Sequence, residues 1–118
     1  MDVDVAFTGV PVSELATGRD FFERLLGRPA DVVVNADEVM SRLADPAWLY
    51  VVVDPGRAGH ALVALAVGDL DATLAELAGR GITARTVEDV GDTGRKATLL
   101  DPDGNSVAII EVTGDTPP

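Results

Sequence analysis

Val12-Ser13-Glu14-Leu15 runs into Phe21-Phe22-Glu23-Arg24-Leu25-Leu26-Gly27, and Val67-Gly68-Asp69-Leu70 runs into Thr73-Leu74-Ala75-Glu76-Leu77-Ala78-Gly79. The second passage echoes the first at about half the chain length, the mark of one supersecondary unit used twice. Each passage is led by a strand-like run and followed by short alternating segments. Two copies of such a unit, set facing each other, enclose a cleft.

Working outward, Val3 to Val12 reads as the first strand. Thr17-Gly18-Arg19-Asp20 has capping-box spacing and predicts a helix start there. Phe21, Phe22, Leu25 and Leu26 then fall on one helical face, and Gly27 serves as a left-handed C-cap. Strands are expected at Asp31–Val34, Val39–Ala44 and Trp48–Val53, separated by Asn35-Ala36-Asp37 and Asp45-Pro46 and closed by Asp54-Pro55-Gly56. Gly56 to Gly59 bridges the halves. The second half repeats the order: strand Ala61–Val67, N-cap Asp69, a helix with the stripe Leu70, Thr73, Leu74 and Leu77, then a stop at Gly79-Arg80-Gly81. Strands follow at about Thr83–Glu88, Lys96–Leu100 and Ser106–Val112. Asp101-Pro102-Asp103-Gly104-Asn105 between the last two reads as a hairpin turn first and a site second. The expectation is an α+β fold in which two βαβββ modules form a curved mixed sheet around a cleft. It is one domain over 1–118, with modules at about 3–54 and 60–112 and a flexible tail at 113–118.

Composition narrows the function. Of 118 residues, 47% are hydrophobic, so a packed core is expected rather than disorder. There is no cysteine, which removes disulfides, thiolate nucleophiles and cysteine metal sites. The net charge of −11 without a basic cluster argues against nucleic acid. The acidity has two readings, a solvated surface or attraction for a cationic ligand. Met1-Asp2-Val3-Asp4 has no basic leader and no apolar run is long enough for a membrane span, so a soluble cytoplasmic protein is expected.

The order of elements and its punctuation resemble the vicinal oxygen chelate superfamily, which holds glyoxalases, extradiol dioxygenases, fosfomycin-resistance enzymes and bleomycin-resistance proteins. The marks that carry the resemblance are the two opening passages and Asp101-Pro102-Asp103-Gly104-Asn105 running into the final strand, and it covers Val3 to Val112. In metal-dependent members it implies a histidine on the first strand, five residues before the valine of the first corner; here that residue is Phe7. The equivalent histidine of the second module falls on Leu62. A glutamate on the last strand falls at Ala108, and a fourth ligand would lie on the strand of Trp48, Tyr50 and Val52. Phenylalanine, leucine and alanine cannot replace a cation's water shell, so neither metal nor other cofactor is expected.

Strand parity extends this reading. If Phe7 and Leu62 mark the cleft face, Gly9, Ala64 and Ala66 share it, and Ala108 brings Ser106 and Ile110. Opposite parity sends Val10, Val12, Val63, Leu65, Val67, Val107 and Ile109 against the helices. The candidate ligand-binding residues are Phe7, Trp48, Tyr50, His60, Leu62, Ser106 and Ala108. Trp48 and Tyr50, two apart on one strand, suit either stacking on a flat ligand or core packing. His60, two residues before Leu62, reads as a general base, a displaced ligand or a strand-edge histidine bonded to a loop. Arg42 and Arg95 are further polar handles. Asp54 and Glu111, near strand ends, read as solvated rather than catalytic.

Three functions fit. The first is metal-free binding of a small organic molecule, cationic if the charge matters, which sequesters a drug or metabolite without catalysis. The low aromatic content of 4% weighs against a site with many stacking platforms. The second is a lyase, isomerase or dioxygenase with an atypical site around His60. The third is a dimerisation module whose cleft is filled by protein. A homodimer is expected, because small twinned modules commonly close their clefts with a partner.

Overall fold

The computed structural model describes residues 1–92 and 94–112. The first unit comprises β1 (Ala6–Val12), α1 (Leu15–Leu26), β2 (Val32–Asn35), β3 (Glu38–Ala44) and β4 (Ala47–Val53). The second comprises β5 (Leu62–Val67), α2 (Leu70–Gly79), β6 (Thr86–Val90), β7 (Gly94–Leu100) and β8 (Ser106–Val112). The α+β class and the twice-used βαβββ order stand as expected. The expected tail at 113–118 lies outside the described residues.

Hydrogen bonding groups the strands into two four-stranded mixed sheets, ordered β1-β4-β3-β2 and β5-β8-β7-β6. Within each unit the first strand pairs in parallel with the last and the other pairs are antiparallel. A parallel partner needs a crossover, and the helix supplies it. The first strand begins at Ala6 rather than Val3, where the Ala6 N–H reaches the Pro46 carbonyl at 2.8 Å and pairing with β4 begins. β6 runs 86–90 rather than 83–88, because its ladder with β7 sets its ends.

The capping box expected at Thr17 does not form. α1 already runs from Leu15, with Glu14 as an extended N-cap that makes no side-chain cap bond. Gly18 is therefore inside the helix, its N–H on the Glu14 carbonyl at 3.1 Å. A Cβ there would fall 2.7 Å from Val12 Cγ1, so this glycine lets the helix close onto β1 rather than punctuating the chain. Gly27 does end α1 in the left-handed conformation (φ 76°), and Asp69 caps α2 by accepting from the Ala72 N–H at 3.0 Å.

One core spans both units: Val10, Leu49 and Val51 of the first sheet, Val63, Leu99 and Val107 of the second, and Phe22, Leu70 and Leu77 of the helices. α1 packs on both units, its Leu25 and Leu26 sharing a crevice with Leu65, Leu77 and Ile109. The helix ends are tied reciprocally. The Arg24 guanidinium donates to the Arg80 carbonyl at 3.1 Å, and the Arg80 guanidinium donates to the carbonyls of Arg24 and Leu25. A cation on the orphan carbonyls of a helix C-terminus satisfies them and opposes the macrodipole.

Asp101-Pro102-Asp103-Gly104-Asn105 forms the expected turn, and it also fastens the units together. Asn105 is fully buried. Its Oδ1 accepts from the N–H groups of Gly59 (3.0 Å) and Ala61 (2.9 Å), and its Nδ2 donates to the Pro11 carbonyl (2.8 Å) and to Asp101 (2.8 Å). One amide thus joins the end of β1, the inter-unit connection and the β7–β8 turn. Asp103 adds bonds from the Ser13 backbone N–H and hydroxyl. Gly59 holds φ 90°, and a Cβ there would meet the Asp103 carbonyl oxygen at 2.6 Å, so only glycine fits this passage.

Candidate ligand-binding site

Alternation along the strands separates two faces. Val10, Leu49, Val51, Val63, Val107 and Ile109 point into the core. The opposite face of the first sheet carries Phe7 in register with Trp48, Gly9 with Tyr50 and Pro11 with Val52. The opposite face of the second carries Leu62 in register with Ser106, Ala64 with Ala108 and Ala66 with Ile110. These two rows share the faces that parity predicts, opposite the core. They are open to solvent: Phe7 is 56% and Leu62 87% exposed. Leu62 opens β5, and a leucine so exposed there is a candidate contact for something outside the chain.

The predicted site residues fall into three places. Phe7, Trp48 and Tyr50 adjoin on the first sheet, and Leu62, Ser106 and Ala108 adjoin on the second. Trp48 and Tyr50 are half-buried on the outer face, not in the core. His60 stands exposed in the connection between units and joins Tyr50 in lining a recess of about 360 Å³, closed by Pro11, Val52 and the Asp54–Arg57 turn. Phe7, Trp48, Leu62, Ser106 and Ala108 do not line that recess. From sequence it is reachable through His60, Tyr50 and Gly9, and not through its turn residues, which carry no periodic signal.

Two polar handles divide. Arg42 lies on the cleft face, in register with Trp48, where it pairs with Asp45. Arg95 does not: it lies on the helix side and pairs with Asp71 (3.2 Å) and Glu111 (3.3 Å), which hold its guanidinium above the ordinary arginine range. Glu111 is not solvated either. Only 17% of its side chain is exposed, and it accepts the Leu70 N–H at 3.1 Å, at the start of α2. Asp54 remains partly open, paired with Arg57 at 3.5 Å.

The positions that the resemblance assigns to a metal's ligands carry none of those ligands. Phe7, Trp48, Tyr50, Leu62 and Ala108 hold those places, with no imidazole or carboxylate among them. Among the described residues, no group of three or more histidine, cysteine, aspartate or glutamate side chains is arranged to hold an ion. The side chains at these positions do not fit the metal of the metal-dependent members of the superfamily that the chain resembles.

Comparison places this architecture. The family model described as "Glyoxalase/Bleomycin resistance protein/Dioxygenase superfamily" matches residues 5–109. The chain belongs to this superfamily. A glyoxalase/bleomycin resistance protein from Catenulispora acidiphila DSM 44928 is 35% identical, with a TM-score of 0.87 over 94% of this chain and 99% of that one. TnmS3, an antibiotic binding protein from Streptomyces sp. CB03234, is 26% identical, with a TM-score of 0.72 over 96% of this chain and 97% of that one. A bleomycin-binding protein solved with bleomycin shares the fold at 23% identity, with a TM-score of 0.75 over 92% of this chain and 98% of that one. No curated protein sequence matches. No helix among the described residues is long and apolar enough to cross a membrane.

Proposed function

We propose that this superfamily member is a metal-free receptacle that binds a small organic molecule on its cleft faces and sequesters it without making or breaking a bond. The observation that carries the reading is the set Phe7, Leu62 and Ala108, which puts apolar carbon where a cation would need nitrogen or oxygen. Small apolar residues with a few aromatics are the usual lining of an organic-ligand site. The likeness to an antibiotic binding protein and to a bleomycin-binding protein supports a drug or drug-like metabolite as the ligand. The net charge of −11 favours a cationic one.

The same reading includes a homodimer in the cytoplasm, each chain forming one domain of two modules. The support is the exposure of Phe7 and Leu62, which a second copy laid against the cleft faces would cover. An enzyme reading would instead rest on His60 beside Tyr50 in the recess.

Thermal shift with bleomycin, flat cationic antibiotics and dicarbonyl metabolites, run with and without chelator, tests the proposal. Binding to the folded state must raise the melting temperature. The expected result is a chelator-insensitive rise with at least one flat organic compound. Stoichiometric transition metal in untreated protein, or turnover of a dicarbonyl, would overturn it.

A further inference from the structure

Tyr50 and Gly9 are register partners on neighbouring strands, and their fit is unusual. Side chains on adjacent strands ordinarily stand side by side with Cβ atoms about 4.5–5.5 Å apart. Here a Cβ built on Gly9 would fall 2.5 Å from Tyr50 Cζ, 2.5 Å from its Oη and 2.9 Å from its Cε2. Real Cβ atoms do not approach carbon that closely. The distal end of the ring therefore leans across β1 and rests where any other residue would carry its side chain. β1 is an edge strand of its sheet, so no further strand of that sheet lies beyond it.

The consequence lies above the ring. Tyr50 and Gly9 both line the recess of about 360 Å³, together with His60 and Arg57. With the ring laid over Gly9, the space that an upright tyrosine would fill stays open. We infer that Gly9 is a specificity-determining residue of the binding site: the missing Cβ seats Tyr50 as the floor of the recess and so sets the depth available to a planar group. This rests on the binding reading above and adds to it the residue that controls what fits. An alanine at position 9 drives the ring upright into the recess, because β4 fixes the ring's Cα and only its rotamer can give way.

The chain has one tyrosine, so protein grown with 3-fluorotyrosine gives a single fluorine resonance that reports this ring alone. Gly9→Ala is expected to move that resonance and leave the far-ultraviolet dichroism unchanged. Acridine orange, a planar cation, is the binding probe, titrated at high salt to suppress attraction to the acidic surface. Gly9→Ala should weaken it about tenfold, while the same change in a Tyr50→Ala background should cost less than about twofold, because the obstructing ring is gone. An unmoved resonance in Gly9→Ala overturns the inference, and so does an equal loss of affinity in both backgrounds. If the wild-type chain binds no acridine orange or binds it without a change at the fluorine, the choice of this recess as the site has failed, and the resonance of Gly9→Ala alone still decides whether Gly9 seats the ring.

Discussion

Replacing Asn105 by alanine should loosen the whole molecule although the residue belongs to no strand. The amide has no exposed surface and makes four side-chain hydrogen bonds, to Gly59, Ala61, Pro11 and Asp101. Truncation leaves two N–H donors, one carbonyl and one carboxylate oxygen without that partner. Each orphaned buried group costs about 1–3 kcal/mol, but the gap left by an amide is polar and about the size of a water, which restores some of the bonds. A net loss of about 3–5 kcal/mol follows from those two effects. For a chain of 118 residues the total stability is about 6–18 kcal/mol, so the variant should fold and lose a large share of its margin.

Urea unfolding followed by tryptophan fluorescence measures this directly, since Trp48 is the one tryptophan. The midpoint should fall with the slope unchanged, because the surface exposed on unfolding is nearly the same. Asn105→Asp is the discriminating control. It keeps the oxygen that receives Gly59 and Ala61 but replaces the donor facing Pro11 and Asp101 with an acceptor, so it should be at least as damaging as alanine. A loss below about 1 kcal/mol for Asn105→Ala, or an aspartate variant milder than the alanine one, would show that the amide is not the fastener described.

Other outcomes follow from the same geometry. Arg80→Met keeps the aliphatic stem but removes the donors to the Arg24 and Leu25 carbonyls, and should cost about 1–2 kcal/mol, read by calorimetry as a melting point lower by about 3–8 °C. Phe7→Asp combined with Leu62→Asp should give a sedimentation mass near the single-chain 12.3 kDa where the parent gives twice that, with little change in the fold because both side chains are exposed; a parent already monomeric refutes the dimer. Asp31 accepts the Arg42 N–H and the Arg28 guanidinium, and these hold its carboxyl below the usual aspartate value. A depressed carboxyl stabilises the fold above its unfolded pKa of about 3.9 and ceases to as pH falls through the folded value. Asp31→Asn should therefore be less stable than the parent near neutrality, with urea midpoints that converge as the pH drops below about 4.

The legible and illegible parts of this chain differ by the range of the interaction that decides each. The outward faces of the strands are legible because a strand's period of two is local: once Phe7 is placed, Gly9 follows, and its partial burial agrees. The same rule places Arg95 on the core side, since Ala97 and Leu99 are buried, and applying parity to β7 would have removed it from the handles. The helix start expected at Thr17 fails because Thr17 and Asp20 satisfy the capping-box spacing inside a helix that already runs from Leu15, while Gly18 serves close approach to Val12. Asn105 shows the limit most clearly. Asp101, Pro102 and Gly104 suffice for a turn, so the asparagine had nothing local left to explain, and that surplus was the available signal. Its partners lie as far as 94 residues away, where no periodicity reaches. A surplus polar residue after a completed turn is a residue whose partner is elsewhere in the fold, because burying an amide unpaired is too costly to persist. The same reasoning applies to Leu62, the exposed leucine that opens β5: a ligand and a second copy of the chain are the two candidates to cover it, and they are separated by whether Leu62→Asp abolishes association, binding or both.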